Sequence, residues 1–176
     1  MFENDVVGGS IPKEFIPSGE KGIKSQKESG LMAGFPVIDF QATLTDGKYH
    51  EVDSNALTFD IAARASFREL AERKAAKLLE PIMKVEVTTP DEYQGDLLGD
   101  ISRRRGHIVN IEAKQGQTIL NAQVPLAEMF GYATAIRSLS KGRASYSMEP
   151  LTFEQVPKGV LNTILDQAAK KPAART

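Results

Sequence analysis

The stretch IMKVEVTTPDEYQGDLLGDISRRRGHIVNIEAK, residues 82–114, holds a strand, a helix and a second strand in immediate succession. Residues 82–89 alternate apolar and polar side chains with the period of two that predicts a half-buried strand. Residues 89–92 have the pattern of a capping box with proline at the first helical position. The helix that they begin is predicted to run to Arg105 and to end at Gly106, after which the alternation resumes.

The stretch that follows repeats this order of strand, helix and strand. Residues 118–126 predict a strand that forms a hairpin with the preceding one through a tight turn at 115–117. A second helix comes next, and residues 143–153 predict the last strand. The resulting order, β-α-β-β-α-β, is that of a ferredoxin-like fold. A C-terminal helix over 158–170 and a frayed tail are predicted beyond it.

The N-terminal part also mixes strand and helix. Residues 36–45 alternate imperfectly and predict a strand whose apolar side chains face a core. A turn at Asp46-Gly47 follows. A long helix is then predicted near 54–75, capped by Asp53 or Ser54, because its apolar residues recur three and four positions apart.

Two modules therefore make up the chain. An earlier helix, predicted over 14–29 and ended by Gly30, belongs to the first of them. We place the first module at residues 1–79 and the second, with the C-terminal helix and tail, at 80–176. The predicted fold class is α+β.

Composition excludes several classes of protein. The 176 residues are 41% hydrophobic and 26% charged, with a net charge of −1, so no global basic field attracts nucleic acid. The absence of cysteine excludes disulfides and thiolate metal sites. No apolar run is long enough to span a bilayer, and the first residues carry acids where a signal peptide carries bases.

Motifs for catalysis are missing from the sequence. There is no G-x-x-x-x-G-K-[ST] phosphate-binding loop and no G-x-S-x-G nucleophile elbow. His50 and His107 fall in different modules, so a metal site that uses both is not expected. An acid/base cluster of His50, Glu51 and Asp53 is a remote alternative, because nothing nearby supplies a nucleophile or an oxyanion hole.

Three exposed segments have two interpretations each. The turn DGKYHEVDS, residues 46–54, is either a solvated connection or a contact with RNA, in which Tyr49 and His50 stack and Lys48 meets a phosphate. The basic segment at 102–106 either complements the dipole of a helix C-terminus or contacts a phosphate backbone. The segment 137–146 is either a helix C-terminus ended by a glycine or a contact with RNA or protein. The basic residues concerned are Arg103, Arg104, Arg105, Arg137, Lys141 and Arg143.

Longer motifs resemble a known family. They are GGSIPKEFIPSGEKGI, MAGFPVID, DGKYHEVDS, LLEPIMKVEV, GDLLGDISRRRG and VPLAEMFGYATAIRSLSKGRASYSME. In this order they resemble the C-terminal part of bacterial elongation factor G, the ribosomal translocase, over nearly the whole chain. The resemblance implies a truncated ribosomal protein S5 domain 2-like module, part of domain IV, at 1–79, and the ferredoxin-like domain V at 80–176.

The resemblance also implies a function. Family members act in the cytoplasm on the ribosome, at the decoding region of the small subunit and at the stalk base and sarcin–ricin region of the large subunit, to move tRNA and mRNA. The residues that match the RNA-contacting loop at the tip of domain IV are Gly47, Lys48, Tyr49, His50, Glu51 and Asp53. GTP and Mg²⁺ would be bound by the full-length parent, so this monomeric part is expected to need no cofactor and to hydrolyse no GTP.

Other interpretations remain open at this point. A recycling-specialised or ribosome-protection paralogue shares both domains, although protection proteins usually lack a tip loop of the YHEVDS type. A free-standing ferredoxin-like module that senses a small molecule would leave the first module unexplained. A hydrolase that uses His50 would lose its activity on substitution of that histidine.

Overall fold

The computed structural model describes residues 1–73 and 75–170, which fall into two compact units. Met1–Leu78, together with the segment that begins at Pro157, forms the first, called here the N-terminal unit. Leu79–Val156 forms the second, the ferredoxin-like unit. The C-terminal helix thus groups with the N-terminal unit, whereas the sequence placed it with residues 80–176. The predicted tail from 171 onward lies outside the described residues.

Both units contain helices and strands. In chain order they are β1 (Phe2–Asn4), α1 (Ile16–Ser29), β2 (Ala42–Leu44), α2 (Ala56–Glu72), β3 (Leu79–Pro90), α3 (Gln94–Arg103), β4 (His107–Lys114), β5 (Gln117–Pro125), α4 (Tyr132–Leu139), β6 (Ser145–Gln155) and α5 (Lys158–Lys170). Short 3₁₀ turns precede α1, α3 and α4. The predicted α+β class is confirmed.

The ferredoxin-like unit is a four-stranded antiparallel sheet in the order β4-β5-β3-β6. The chain order β3-α3-β4-β5-α4-β6 is the predicted β-α-β-β-α-β order. Alternate residues of β3 and β5 face the helices, and Val85, Val87 and Leu120 are completely buried there. Leu97 and Ile101 of α3 and Tyr132 and Ile136 of α4 complete the core. The period of two in the sequence therefore corresponds to the buried face of the sheet.

The N-terminal unit consists of packed helices beside a very small sheet. β1 and β2 pair in parallel, with Phe2 opposite Ala42. α1 packs on α2, and Gly22 makes this approach possible, since a Cβ there would lie 2.5 Å from the backbone oxygen of Asp60. Phe67 is the buried residue of α2, and its ring meets that of Phe40 at 5.1 Å.

The strand predicted over 36–45 is wrong for most of its length, because only Ala42–Leu44 pair. The backbone N–H of Val37 donates to Lys27 O at 2.9 Å, which ties this segment to the end of α1. Asp39 adopts a left-handed backbone with φ 53°, which interrupts any strand. The alternation is present in the sequence, but residues 36–41 form no strand pairing in the structure.

Two helix starts also differ from the prediction. α2 is capped by Asn55, which exchanges hydrogen bonds with Thr58, while Asp53 and Ser54 lie in the preceding loop. The capping box predicted at 89–92 does not form: Thr89 Oγ1 donates to Pro90 O at 3.2 Å, a 3₁₀ turn covers Asp91–Tyr93, and α3 starts at Gln94.

Candidate functional site

The loop between β2 and α2, residues 46–54, is called the tip loop here, and its second half is closed by Ser54. The backbone N–H of His50 donates to Ser54 Oγ at 2.9 Å, and the backbone N–H of Ser54 donates to His50 O at 2.9 Å. The three residues between them are exposed, and Val52 has 84% of its surface in solvent. These bonds fix the backbone of His50 without engaging its imidazole.

The imidazole of His50 projects into solvent. Its side chain is 72% exposed, and Nδ1 lies 3.7 Å from Oδ2 of Asp53, whose side chain is 82% exposed. Such an exposed pair contributes little to stability. It also lacks the enclosing walls that an acid/base site needs to exclude water. The arrangement therefore suits contact with another molecule better than hydrolysis.

Tyr49 of the tip loop belongs to a stack of three aromatic rings. The Tyr49 ring lies 5.9 Å from the Phe15 ring with 26° between their planes, and the Phe15 ring lies 5.1 Å from the Phe59 ring at 11°. Both distances are those of favourable stacked pairs. Tyr49 nevertheless remains 41% exposed, so one part of its surface is free for a partner.

The tip loop has an acidic rather than a basic surface. Asp46, Glu51 and Asp53 outnumber Lys48, and all four residues are exposed. Asp46 Oδ1 accepts a hydrogen bond from the backbone N–H of Gly47 at 2.7 Å. Beside these acids, the loop offers the rings of Tyr49 and His50 for stacking and hydrogen bonding, and Lys48 as one cation for a phosphate.

Gly47 fits the backbone of the tip loop against Ile11, which is 3% exposed. A Cβ at position 47 would lie 2.6 Å from Ile11 Cδ1 and 2.8 Å from Ile11 Cγ1. No side chain fits there without displacing either the loop or Ile11. The glycine therefore lets the loop start on the surface formed by the segment before α1.

We expect Gly47→Ala to lower the free energy of unfolding of the N-terminal unit by about 2 kcal/mol, the usual cost of overpacking. Denaturant unfolding, followed by amide exchange in α2, measures the loss. Gly159→Ala is the matched control, because a Cβ at position 159 meets no atom within 4 Å. If Ile11→Ala does not reduce the penalty of Gly47→Ala in the double variant, the contact with Ile11 is not its cause.

In the second unit, Arg104 and Arg105 lie within the fold. Arg105 donates two hydrogen bonds of 2.8 Å to Glu80 and one of 2.9 Å to Glu128, and the bond to Glu80 is the main reason why the pKa of the guanidinium rises above its ordinary value. Arg104 bonds Asp100 Oδ2 at 2.8 Å and covers the Tyr132 ring, whose centroid is 5.0 Å away. Burial raises the pKa of Tyr132 to about 12.

The other basic residues predicted from sequence are exposed. Arg103 has a 72% exposed side chain and a distant ion pair with Asp100 at 3.5 Å. Arg137 and Lys141 lie at the end of α4, and both are exposed. Arg143 binds Glu92 and sits 5.9 Å from the centre of the Tyr93 ring. Arg103, Arg137 and Lys141 therefore present the charges most available to a partner.

Sequence reasoning missed the residues that hold the tip loop. Ile11 and Phe15 contact it from elsewhere in the chain, Phe59 of α2 stacks on Phe15 behind it, and Ser54 closes it. Ser54 carried a local signal, as a polar residue four positions after His50, but it was assigned to helix capping. Phe59 belonged to the predicted apolar face of the helix, although nothing in the sequence indicated Phe15 as its partner. Ile11 and Phe15 carried no signal.

The described residues show neither a metal-binding cluster nor a membrane span. Among residues 1–73 and 75–170, no group of three or more His, Asp or Glu side chains could hold a metal ion. None of the helices described there has the length and apolarity required to cross a bilayer.

Comparison with known proteins places both halves of the chain in one family. The model described as "Elongation factor G, domain IV" matches residues 1–75. The model described as "Elongation factor G C-terminus" matches residues 77–164. The two matches follow each other along the chain in the order that the motifs indicated.

Individual relatives agree with the family models. Elongation factor G of Granulibacter bethesdensis is 52% identical over 169 residues, which cover 96% of this chain and 24% of the relative. A crystal structure of a Thermus thermophilus protein matches with a TM-score of 0.79 and 37% identity, over 97% of this chain and 26% of that one. The chain thus spans about a quarter of the relatives that it matches. On these matches it belongs to the elongation factor G family, of which it holds domain IV sequence and the C-terminal domain.

Proposed function

We propose that this chain is the ribosome-binding C-terminal portion of a translation elongation factor that promotes GTP-dependent translocation of tRNA and mRNA. The observation that carries the proposal is the 72% exposed imidazole of His50, held on a loop whose backbone is fixed by Ser54. Functional residues are often found on loops positioned by a rigid scaffold. Exposed rings on such a loop suit unpaired RNA bases.

The role of the tip loop in this proposal is mechanical. Tyr49 and His50 contact RNA in the decoding region of the small subunit, and Lys48 meets a phosphate. The loop then blocks the return of the tRNA–mRNA pair. No covalent bond is made or broken by this chain, and a GTPase domain elsewhere in a longer protein would bind GTP and Mg²⁺.

In the same proposal the ferredoxin-like unit contacts the large subunit at its stalk base and sarcin–ricin region. Arg103, Arg137 and Lys141 are the contact residues, because their charges are exposed. Arg104 and Arg105 support the fold instead, since their guanidinium groups are committed to Asp100, Glu80 and Glu128. We assign residues 1–79 to domain IV and 80–176 to domain V of a cytoplasmic protein that acts as a monomer.

Substitution of His50 tests this function. The assay uses the Granulibacter bethesdensis elongation factor G with its matching quarter replaced by this chain. We expect His50→Ala to slow mRNA movement on the ribosome about tenfold, the effect of losing one stacking contact of about 1–3 kcal/mol. GTP hydrolysis, measured in the same reactions, should change less than about twofold, because the loop belongs to no nucleotide-binding site.

The other histidine provides the matched control. His107 is exposed in β4 of the ferredoxin-like unit and belongs to no proposed contact. His107→Ala should leave both rates unchanged. A parallel fall of GTP hydrolysis and translocation in His50→Ala, or an inactive unsubstituted chimera, contradicts the proposed function.

A further inference from the structure

The segment before α1 touches the tip loop at two separate places. Ile11 lies directly against Gly47, and Phe15 stacks on Tyr49. Both contacts fall on the half of the loop that precedes His50. Ser54 fixes the half that follows it through two backbone bonds with His50. His50 is therefore placed between two independent restraints.

Phe15 is the central ring of the stack. Its ring is almost parallel to that of Phe59 on α2, with 11° between the planes and 5.1 Å between the centres. The Tyr49 ring continues the stack on the loop. Phe59 lies in the first turns of a helix that begins with a reciprocal side-chain cap, so the stack rests on a regular element. Phe15 therefore links the loop to α2 through two ring pairs.

We propose that Phe15 is a positioning residue for the tip loop: its ring, stacked between Tyr49 and Phe59, sets the direction in which His50 meets RNA. This inference rests on the proposed function. Phe15 need not touch RNA itself, since it is only partly exposed and its neighbours are the two rings. Its effect passes through Tyr49, which is one position away from His50 in the chain.

A double-substitution cycle in the chimera tests this role. Phe15→Ala should slow translocation about 2- to 10-fold, the range expected for the loss of one aromatic pair, with GTP hydrolysis unchanged. In a Tyr49→Ala background, the same substitution should slow translocation by less than about 2-fold, because the partner ring is already gone. Phe15→Tyr keeps the ring and should restore most of the rate.

Phe40→Ala controls for general destabilisation. Phe40 pairs with Phe67 in the same unit, with 5.1 Å between the ring centroids. Neither ring of this pair belongs to the tip loop. It should lower the melting temperature while leaving translocation at saturating concentration nearly unchanged. Equal slowing by Phe40→Ala, additive losses from Phe15→Ala and Tyr49→Ala, or failure of Phe15→Tyr to restore the rate overturns the proposal.

Proton NMR on this chain alone distinguishes failure of the Phe15 positioning role from failure of the proposed function. The Tyr49 ring protons should be shifted by the Phe15 ring current, and Phe15→Leu should remove that shift. If the shift is absent, Phe15 does not position Tyr49. If the shift is present but Tyr49→Ala and His50→Ala both leave translocation unchanged, the proposed function fails, and with it the role of Phe15 at RNA, while the stack itself stands.

Discussion

Replacing Arg105 by leucine is expected to lower the free energy of unfolding of the ferredoxin-like unit by about 3 kcal/mol. Three of its N–H groups are bonded to Glu80 and Glu128, and the Glu80 side chain is only 10% exposed. Without the guanidinium, Glu80 stays buried as an uncompensated carboxylate, which costs more than the net value of the pair. Amide exchange in β3 and β5 measures the global opening of this unit.

Arg103 provides the control for Arg105. It stands two positions earlier, but its side chain is 72% exposed, so Arg103→Leu should change the stability by no more than about 0.5 kcal/mol. Adding Glu80→Gln to Arg105→Leu should recover part of the loss, because the stranded charge is then removed. Equal losses of stability in the two variants would mean that the arginines stabilise the unit through the helix dipole and not through the bonds to Glu80.

The arginine triplet also shows a limit of sequence reasoning. Three bases before a glycine predicted a helix that runs to Arg105, whereas α3 ends at Arg103. The sequence does not reveal that Glu80, 25 positions away, receives two of the hydrogen bonds. Nor does it reveal that Arg105, with φ 59°, adopts the left-handed conformation that Gly106 was expected to take. Gly106 is required for space, since a Cβ there would lie 2.5 Å from Ile101 Cγ2.

The ferredoxin-like order was predictable because its signals are local. Alternation in β3 and β5 places Val85, Val87, Leu120 and Val124 on one face, and all four are fully buried. The N-terminal unit was less predictable. Residues 36–40 alternate like a strand, yet the backbone N–H of Val37 donates to Lys27 O of α1, and no pattern within the segment indicates that partner.

The tip loop was also predictable only in part. An Asp-Gly turn before a helix predicts an exposed connection, and His50 is exposed in the structure. The Phe15 ring, which pairs with Tyr49 and Phe59, is distant in sequence, and its position was not predictable from it. The exposed face of a site follows from local turn chemistry, whereas its support depends on tertiary contacts.

Two glycines of α1 that look equivalent in sequence are expected to respond in opposite directions to alanine. In an isolated helix, each substitution would gain about 1 kcal/mol. At Gly22 the new Cβ would lie 2.5 Å from the backbone oxygen of Asp60 and 3.1 Å from the Cβ of Ala63. The backbone of α2 cannot move aside by changing a rotamer, as a side chain can, so α1 and α2 must separate. We expect Gly22→Ala to lower the free energy of unfolding of the N-terminal unit by about 2 kcal/mol.

Gly19 is the matched control, one turn earlier on the same helix. A Cβ there meets no atom within 4 Å, so Gly19→Ala should raise the stability by about 0.5–1 kcal/mol. Urea unfolding, followed by amide exchange in α1 and α2, compares the variants under identical conditions. Separation of the helices should also weaken the hydrogen bond between Arg68 Nε and Gln26 Oε1, now 2.8 Å long. Equal gains at both glycines would mean that α1 and α2 do not approach each other closely at Gly22.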